Sequence, residues 1–275
     1  MAANNEPWQQ LEVTWFIDKY PKKNKVDKKR LRSMVVRAFD VWSMYIDWRR
    51  LIIYEAAKLE DADIRIGFYR GKHGDLDPFD GPGHCVGHAF RPGSGLGGDI
   101  HMDDDEKWNF DYSPKLQLSN DEVAFFPALV HEIGHALGLG HCEDDPTSIM
   151  SPEWTNYGKP TYFQLNRADV SRIKDLYEDD LELTLRYDQD HDMKRSELAM
   201  NLRLERNARQ MADQEMLQKY KSKVQASARS SAVSSSSAVA KNKYNTVRAK
   251  RSEKSFFGSI KRTLSRGFSF KRSGD

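Results

Sequence analysis

Cysteine is nearly missing from this 275-residue chain, with Cys85 and Cys142 the only two. Two thiols are too few for a disulfide framework, and they could pair only if the fold brings them together. Cys142 directly follows His141, so it reads either as a metal contact or as an ordinary small buried residue. Long apolar runs are missing as well. No stretch is long enough to span a membrane. Glu6, Glu12 and Asp18 interrupt the first twenty residues, which excludes a secretory signal within them. Net charge is also small, at +2, but it conceals an asymmetry. Residues 226–275 hold 12 Lys or Arg against 2 acids, so this tail is +10 and the remainder −8. The length allows one domain with a good core and leaves about a third of the chain outside it.

What is present is concentrated in one segment. His131-Glu132-Ile133-Gly134-His135-Ala136-Leu137-Gly138-Leu139-Gly140-His141 puts three imidazoles and one carboxylate into eleven residues. Positions four apart share a helix face, so His131 and His135 can hold one ion together. A helix that ran on would carry the next histidine away. Gly138 can take a positive φ and turn the chain back, so that His141 closes the triad. Three protein ligands leave a fourth position open, which marks a catalytic rather than a structural zinc. Glu132 is then placed to act as general base and later as general acid in peptide-bond hydrolysis. This string is identified as the metzincin signature. Met150, within Ser148-Ile149-Met150-Ser151-Pro152-Glu153-Trp154, stands where a methionine turn would form the floor of the site.

A second constellation lies upstream. His73, Asp75, His88 and His101 make a closed set of three imidazoles and a carboxylate, which suits a structural zinc. Around them the chain is rich in glycine and aspartate, through Phe79-Asp80-Gly81-Pro82-Gly83 and Gly97-Gly98-Asp99 to Asp103-Asp104-Asp105-Glu106. Such loops offer the oxygen ligands calcium takes, and they also occur as plain solvated turns.

Together these motifs make residues 11–177 resemble the catalytic domain of a matrix metalloproteinase, the matrixin branch of the metzincins. The resemblance also rests on the strand-like Leu11-Glu12-Val13-Thr14-Trp15 and the helix-like Val36-Arg37-Ala38-Phe39-Asp40-Val41-Trp42. It implies a structural zinc on His73, Asp75, His88 and His101. It implies one calcium on Asp80, Asp103 and Glu106 with the carbonyls of Gly81, Gly83 and Cys85. A second calcium would fall to Asp63 with the carbonyls of Gly95, Gly97 and Asp99. Substrate would bind as an added strand between an edge strand at Val86-Gly87 and the segment of Pro152 and Trp154, with Pro127 lining a pocket. Trp154 replaces the usual tyrosine, which alters the pocket wall. Pro127 is tolerable only in a first helical turn, so the active-site helix should begin near Phe125. Ala168 stands before Asp169 where the family has two aspartates, so this chain lacks the carboxylate that in the family receives the freed amino terminus. The resemblance further implies protein substrates and an extracellular setting, and it does not imply an obligate oligomer. The family's signal, its inhibitory propeptide and its C-terminal propeller are not seen here. A truncated form, an alternatively started form and an intracellular variant all stay open.

The expected fold is α+β, a twisted mixed sheet of five strands with three helices, followed by an extension. The chain divides into a leader at 1–10, the protease domain at 11–178, a charged and helix-compatible extension at 179–225, and a serine-rich linker with a basic tail at 226–275. In the tail, aromatic residues such as Phe256 and Phe268 interleave with Lys261, Arg262 and Arg266. That mix suits an anionic membrane or nucleic acid, and equally a disordered basic tail. Against an active endopeptidase stands one alternative, a metal-stabilised module that binds peptides without turnover. Glu132 discriminates them, because binding alone has no need of that carboxylate.

Overall fold

A computed structural model describes residues 5–111, 118–152, 164–178 and 193–226. Chain contacts divide it into two compact units, residues 1–213 and 214–275. In the second, residues 214–226 are described and are helical.

The first unit is built on β1 (Glu12–Lys19), β2 (Ile52–Glu55), β3 (Ile64–Tyr69), β4 (Gly87–Ala89) and β5 (Ile100–Asp103), in the order β2-β1-β3-β5-β4. All pairs are parallel except β4 with β5. β1 shows why a sheet forms here. Its residues alternate, with Val13, Trp15 and Ile17 buried, so one face looks into the core. Helix α1 (Lys28–Ser43) covers that face, capped at Asp27 and stacking Phe39 on Trp15 at 5.4 Å between ring centres. Two short strands, β6 (Trp108–Asn109) and β7 (Val123–Ala124), lead into α2 (Phe125–Ala136). Helix α2 is apolar on nearly all sides and buried along its length, as a helix crossing a core must be. It begins at Phe125, so Pro127 does lie in its first turn.

Helix α3 (Arg167–Leu176) starts with a capping box in which Asn166 and Asp169 satisfy one another's backbone N–H groups. Within this unit a fourth helix, α4, covers residues 193–213. Its Arg195 is 4% exposed, and its guanidinium donates to the carbonyls of Leu11 and Trp48. Further along, Arg206 and Arg209 pair with Asp40 of α1.

The leader expected at 1–10 is not separate from the domain. Trp8 is 6% exposed and belongs to the core. Burial of so large an aromatic surface explains why the fold begins before Leu11. The serine-rich run, the tail residues beyond 226 and the segment 179–192 lie outside the described residues. Among the described residues no helix is long and apolar enough to cross a membrane.

Candidate metal centre

Helix α2 carries His131 and His135 on one face and then stops within two residues. Its end is a Schellman motif. Gly138 takes φ +101, its N–H bonds to the His135 carbonyl at 2.8 Å, and the Leu139 N–H bonds to the Gly134 carbonyl at 2.9 Å. The reversal returns His141 to the helix face. Nε2 of His135 then lies 3.0 Å from Nε2 of His131 and 3.1 Å from Nε2 of His141. Three ring nitrogens this close are aimed at a common point. A tetrahedral zinc with Zn–N distances of about 2.05 Å would hold them about 3.3 Å apart, so the set fits such an ion with slight expansion.

The opposite ring nitrogens fix the tautomers. Nδ1 of His131 donates to the Ile149 carbonyl, and Nδ1 of His135 donates to the Leu139 carbonyl at 2.8 Å. Both Nε2 atoms therefore keep free lone pairs. Burial pulls His131 down to about 4 and His135 down to about 3, and lowers His141 as well, so all three are neutral at physiological pH.

Glu132 is 5% exposed beside them, and its Oε2 is buried with no hydrogen-bond partner. Burial pushes its carboxyl up to about 8. It opens on a cleft of about 660 Å³, lined by Gly87, Ala89, Arg91, the three histidines and Arg172. β4 forms the rim. It is the last strand of its sheet, bonded to β5 on one side only among the described residues, so its outer edge is open. A Cβ on Gly87 would come within 3.3 Å of Glu132 Oε1, which gives the missing side chain a purpose. Val86 turns inward, its carbonyl accepting from Asp103 N.

The upstream residues also converge. β4 and β5 set His88 opposite His101 in register. The loop between β3 and β4 adds His73 and Asp75. Asp75 Oδ2 lies 2.8 Å from His73 Nε2, 3.0 Å from His88 Nε2 and 2.8 Å from His101 Nδ1. Burial acts to raise the Asp75 carboxyl, but hydrogen bonds from His88 and His101 outweigh it and leave it lowered. Its side chain is 1% exposed. A closed set of four donors fits a structural ion, and these two histidine clusters are the metal-spaced groups among the described residues.

Residues 7–178 match the Matrixin family. Similar proteins include human matrilysin, 38% identical over 178 residues, a match covering 64% of this chain and 61% of that one. Mouse interstitial collagenase A is 38% identical over 177 residues, covering 64% of this chain and 34% of the relative. Human matrix metalloproteinase-16 is 38% identical over 182 residues, covering 64% and 28%. The chain thus spans between about a quarter and three-fifths of the length of these relatives.

The chain belongs to the matrixin family. Several side chains that complete this matrixin's site have no motif of their own. Asp169 is 1% exposed and holds the methionine turn, accepting from the Ser148 hydroxyl and from Ile149 N at 3.1 Å. Met150, fully buried, lies under Gly134, where a Cβ would collide with its sulfur. At the C-terminal end of α2, Trp8 Nε1 donates to the Ala136 carbonyl at 2.9 Å, and the Tyr177 hydroxyl donates to the Leu137 carbonyl at 2.8 Å. Arg172 donates to the carbonyls of Gly140 and His141. Trp8 and Tyr177 satisfy carbonyls that the helix end leaves without partners, and Arg172 braces the segment that follows it. Only the unpaired carbonyl ends, implicit in a buried helix terminus, could have signalled the need for them.

The residues read as calcium ligands are less tightly gathered. Asp103 and Glu106 are buried, Asp80 is exposed, and Glu106 accepts from Gly83 N at 2.6 Å. The second Asp103 oxygen, Oδ2, is buried with no partner. Asp63 spends Oδ2 on the N–H and hydroxyl of Thr14, while Asp99 is buried, with burial pushing its carboxyl up to about 6. Gly81, Gly83 and Gly95 all take positive φ, the tight turns such loops need. Cys85 and Cys142 are both free thiols. Pro152 is exposed, and Trp154 lies outside the described residues.

Proposed function

We propose that the chain is a zinc-dependent endopeptidase that hydrolyses peptide bonds of protein substrates in the extracellular matrix. The observation that carries this reading is the unpaired, buried Glu132 Oε2 beside three converging, neutral Nε2 atoms at the foot of an open cleft. His131, His135 and His141 would hold the zinc, and His73, Asp75, His88 and His101 a second, structural one. Zinc bound by the triad would acidify water and polarise a peptide carbonyl.

The chain's own groups do the rest. Glu132 Oε2 accepts the proton of the attacking water and passes it to the leaving amine nitrogen. Burial raises the Glu132 carboxyl, which favours holding the proton once it is taken, while a cation on the adjacent triad would lower it and keep it ionised to accept that proton. The outer edge of β4, Gly87–Ala89, pairs with the substrate backbone as an added strand, with Pro152 opposite and Pro127 contributing to the pocket. The matrix setting is supported by the names of the relatives, matrilysin and interstitial collagenase.

Calcium would stabilise the loops. Asp80, Asp103 and Glu106 with the carbonyls of Gly81, Gly83 and Cys85 would form one site, which the orphaned Asp103 Oδ2 favours. A second would use Asp63 with the carbonyls of Gly95, Gly97 and Asp99.

The test is cleavage of a quenched-fluorescent peptide library, with and without a zinc chelator, beside Glu132→Ala. Cleavage abolished by both is expected. Chelator-resistant cleavage, or equal activity in Glu132→Ala, would reject the mechanism, and binding without turnover would select the peptide-binding module instead.

A further inference from the structure

Helix α4 has two faces with opposite characters. Towards the protease core it presents Arg195, Leu202, Arg206, Arg209 and Asp213, all at least half-buried or nearly so, with Asp213 paired to Arg37 and both later arginines to Asp40. On the far side stand Met193, Met200, Leu204 and Met211, which are 71%, 63%, 57% and 71% exposed. At about 100° per residue these four fall within about 20° of one line, diametrically opposite the docked face. Solvated helix faces carry charge, and this one carries four large apolar side chains in a chain that is 31% charged.

The spacing says what covers it. The gaps run seven, four and seven residues, the same read in either direction, with Leu202 at the centre. A two-fold axis through that point and perpendicular to the helix therefore sets Met193 against Met211 of another copy and Met200 against Leu204. Self-complementarity of this kind is the requirement for an isologous contact. We propose that the outer face of α4 is a homodimer interface, in which two copies of this chain pair their α4 helices antiparallel.

The flanks permit it. Ser196, Asn201, Asn207 and Ala208 border the stripe without charge, Glu197 brings one carboxylate per copy to its edge, where it faces Ala208 of the other copy with no like charge opposite, and antiparallel helices oppose their dipoles. Arg203 meets its own symmetry mate across the edge, which weakens the pair without blocking it. Four side chains exposed to this degree offer on the order of 500 Å² per copy, so the pair buries about 1,000 Å², the lower limit for a specific interface. A reversible, concentration-dependent dimer follows, and the docked face holds each catalytic domain on the outside of the pair.

Sedimentation equilibrium of the full chain carrying Glu132→Ala, which prevents self-cleavage, tests this against the same chain with M200E and L204E added. The first should rise from monomer towards twice the monomer mass as concentration increases, and the second should stay monomeric. Unchanged peptidase activity of M200E/L204E with Glu132 intact shows that the domain still folds. A monomer at every concentration, or a dimer that survives both substitutions, overturns the proposal. So does a monomer that binds phosphatidylserine vesicles through the same two residues, which would assign the stripe to a membrane surface. In a C85S/C142S background, mixed M193C and M211C chains should form a disulfide-linked dimer. M193C alone should not, because its mates are about 27 Å apart. Linkage of M193C to itself would refute the antiparallel arrangement.

Discussion

Replacing Tyr177 by Phe should loosen the turn that carries His141 while leaving every side chain of the zinc triad in place. The hydroxyl of Tyr177 is buried, donates to the Leu137 carbonyl at 2.8 Å and accepts from Trp8 N at 3.3 Å. Burial raises its pKa, so it acts as a neutral donor throughout the working range. Phe keeps the ring, and with it the packing against the Arg50 guanidinium, 5.4 Å from the ring centre. What is lost is one oxygen, which orphans one carbonyl and one N–H. Each buried orphan costs about 1–3 kcal/mol, and the long Trp8 bond falls at the low end, so the sum is about 2–4 kcal/mol. For a domain of this size that corresponds to a fall in Tm of about 4–16 °C. Thermal melts in a Glu132→Ala background, with zinc and calcium saturating, measure it without self-cleavage. A shift under about 2 °C would refute the claim that this hydroxyl anchors the end of α2, and an unchanged zinc affinity would show that the anchor does not reach His141.

Gly138→Ala should be more damaging, because a Cβ there meets both a φ of +101 and the Glu6 carbonyl; zinc affinity should fall at least tenfold by competition with a chromogenic chelator, and a wild-type value would contradict the turn mechanism. Asp169→Asn keeps an oxygen for the Ile149 N–H but takes the charged acceptor from the Ser148 hydroxyl, so stability measured by urea unfolding should drop by about 2 kcal/mol with a matching loss of activity, and a change under about 0.5 kcal/mol would remove Asp169 from the site's support. Removing calcium with a chelator that spares zinc should lower Tm and increase proteolytic nicking near Asp80 and Asp99, and an unchanged melt would count against both calcium sites.

The convergence of His131, His135 and His141 was legible in the sequence because its geometry is local. Residues 131 and 135 meet by helical periodicity, and Gly138 is the one residue type that turns the chain back for 141. Pro127 likewise fixed the start of α2, since its ring is compatible only with a first turn. The His73, Asp75, His88 and His101 set needed the family resemblance, because β4 must fold back on β5 before His88 and His101 face each other. Trp8 and Tyr177 were not legible as supports. Their partners are the carbonyls of Ala136 and Leu137, 128 and 40 residues away, and a carbonyl carries no sequence identity. The same reason placed Trp8 in a leader rather than in the core. Helix α4 could be read as helical but not as docked, because the charges that hold it, Arg206 and Arg209, look like any solvated helix face until Asp40 is brought opposite them.

The central claim is that His131, His135 and His141 bind the zinc on which cleavage depends, apart from the zinc held upstream. Metal content of the purified chain, measured by mass spectrometry alongside peptide cleavage, tests it in one comparison with His135→Ala. Two zinc ions per chain with activity are expected for the native protein, and one zinc without activity for the variant. Two ions in His135→Ala, or cleavage that persists with one, would contradict it.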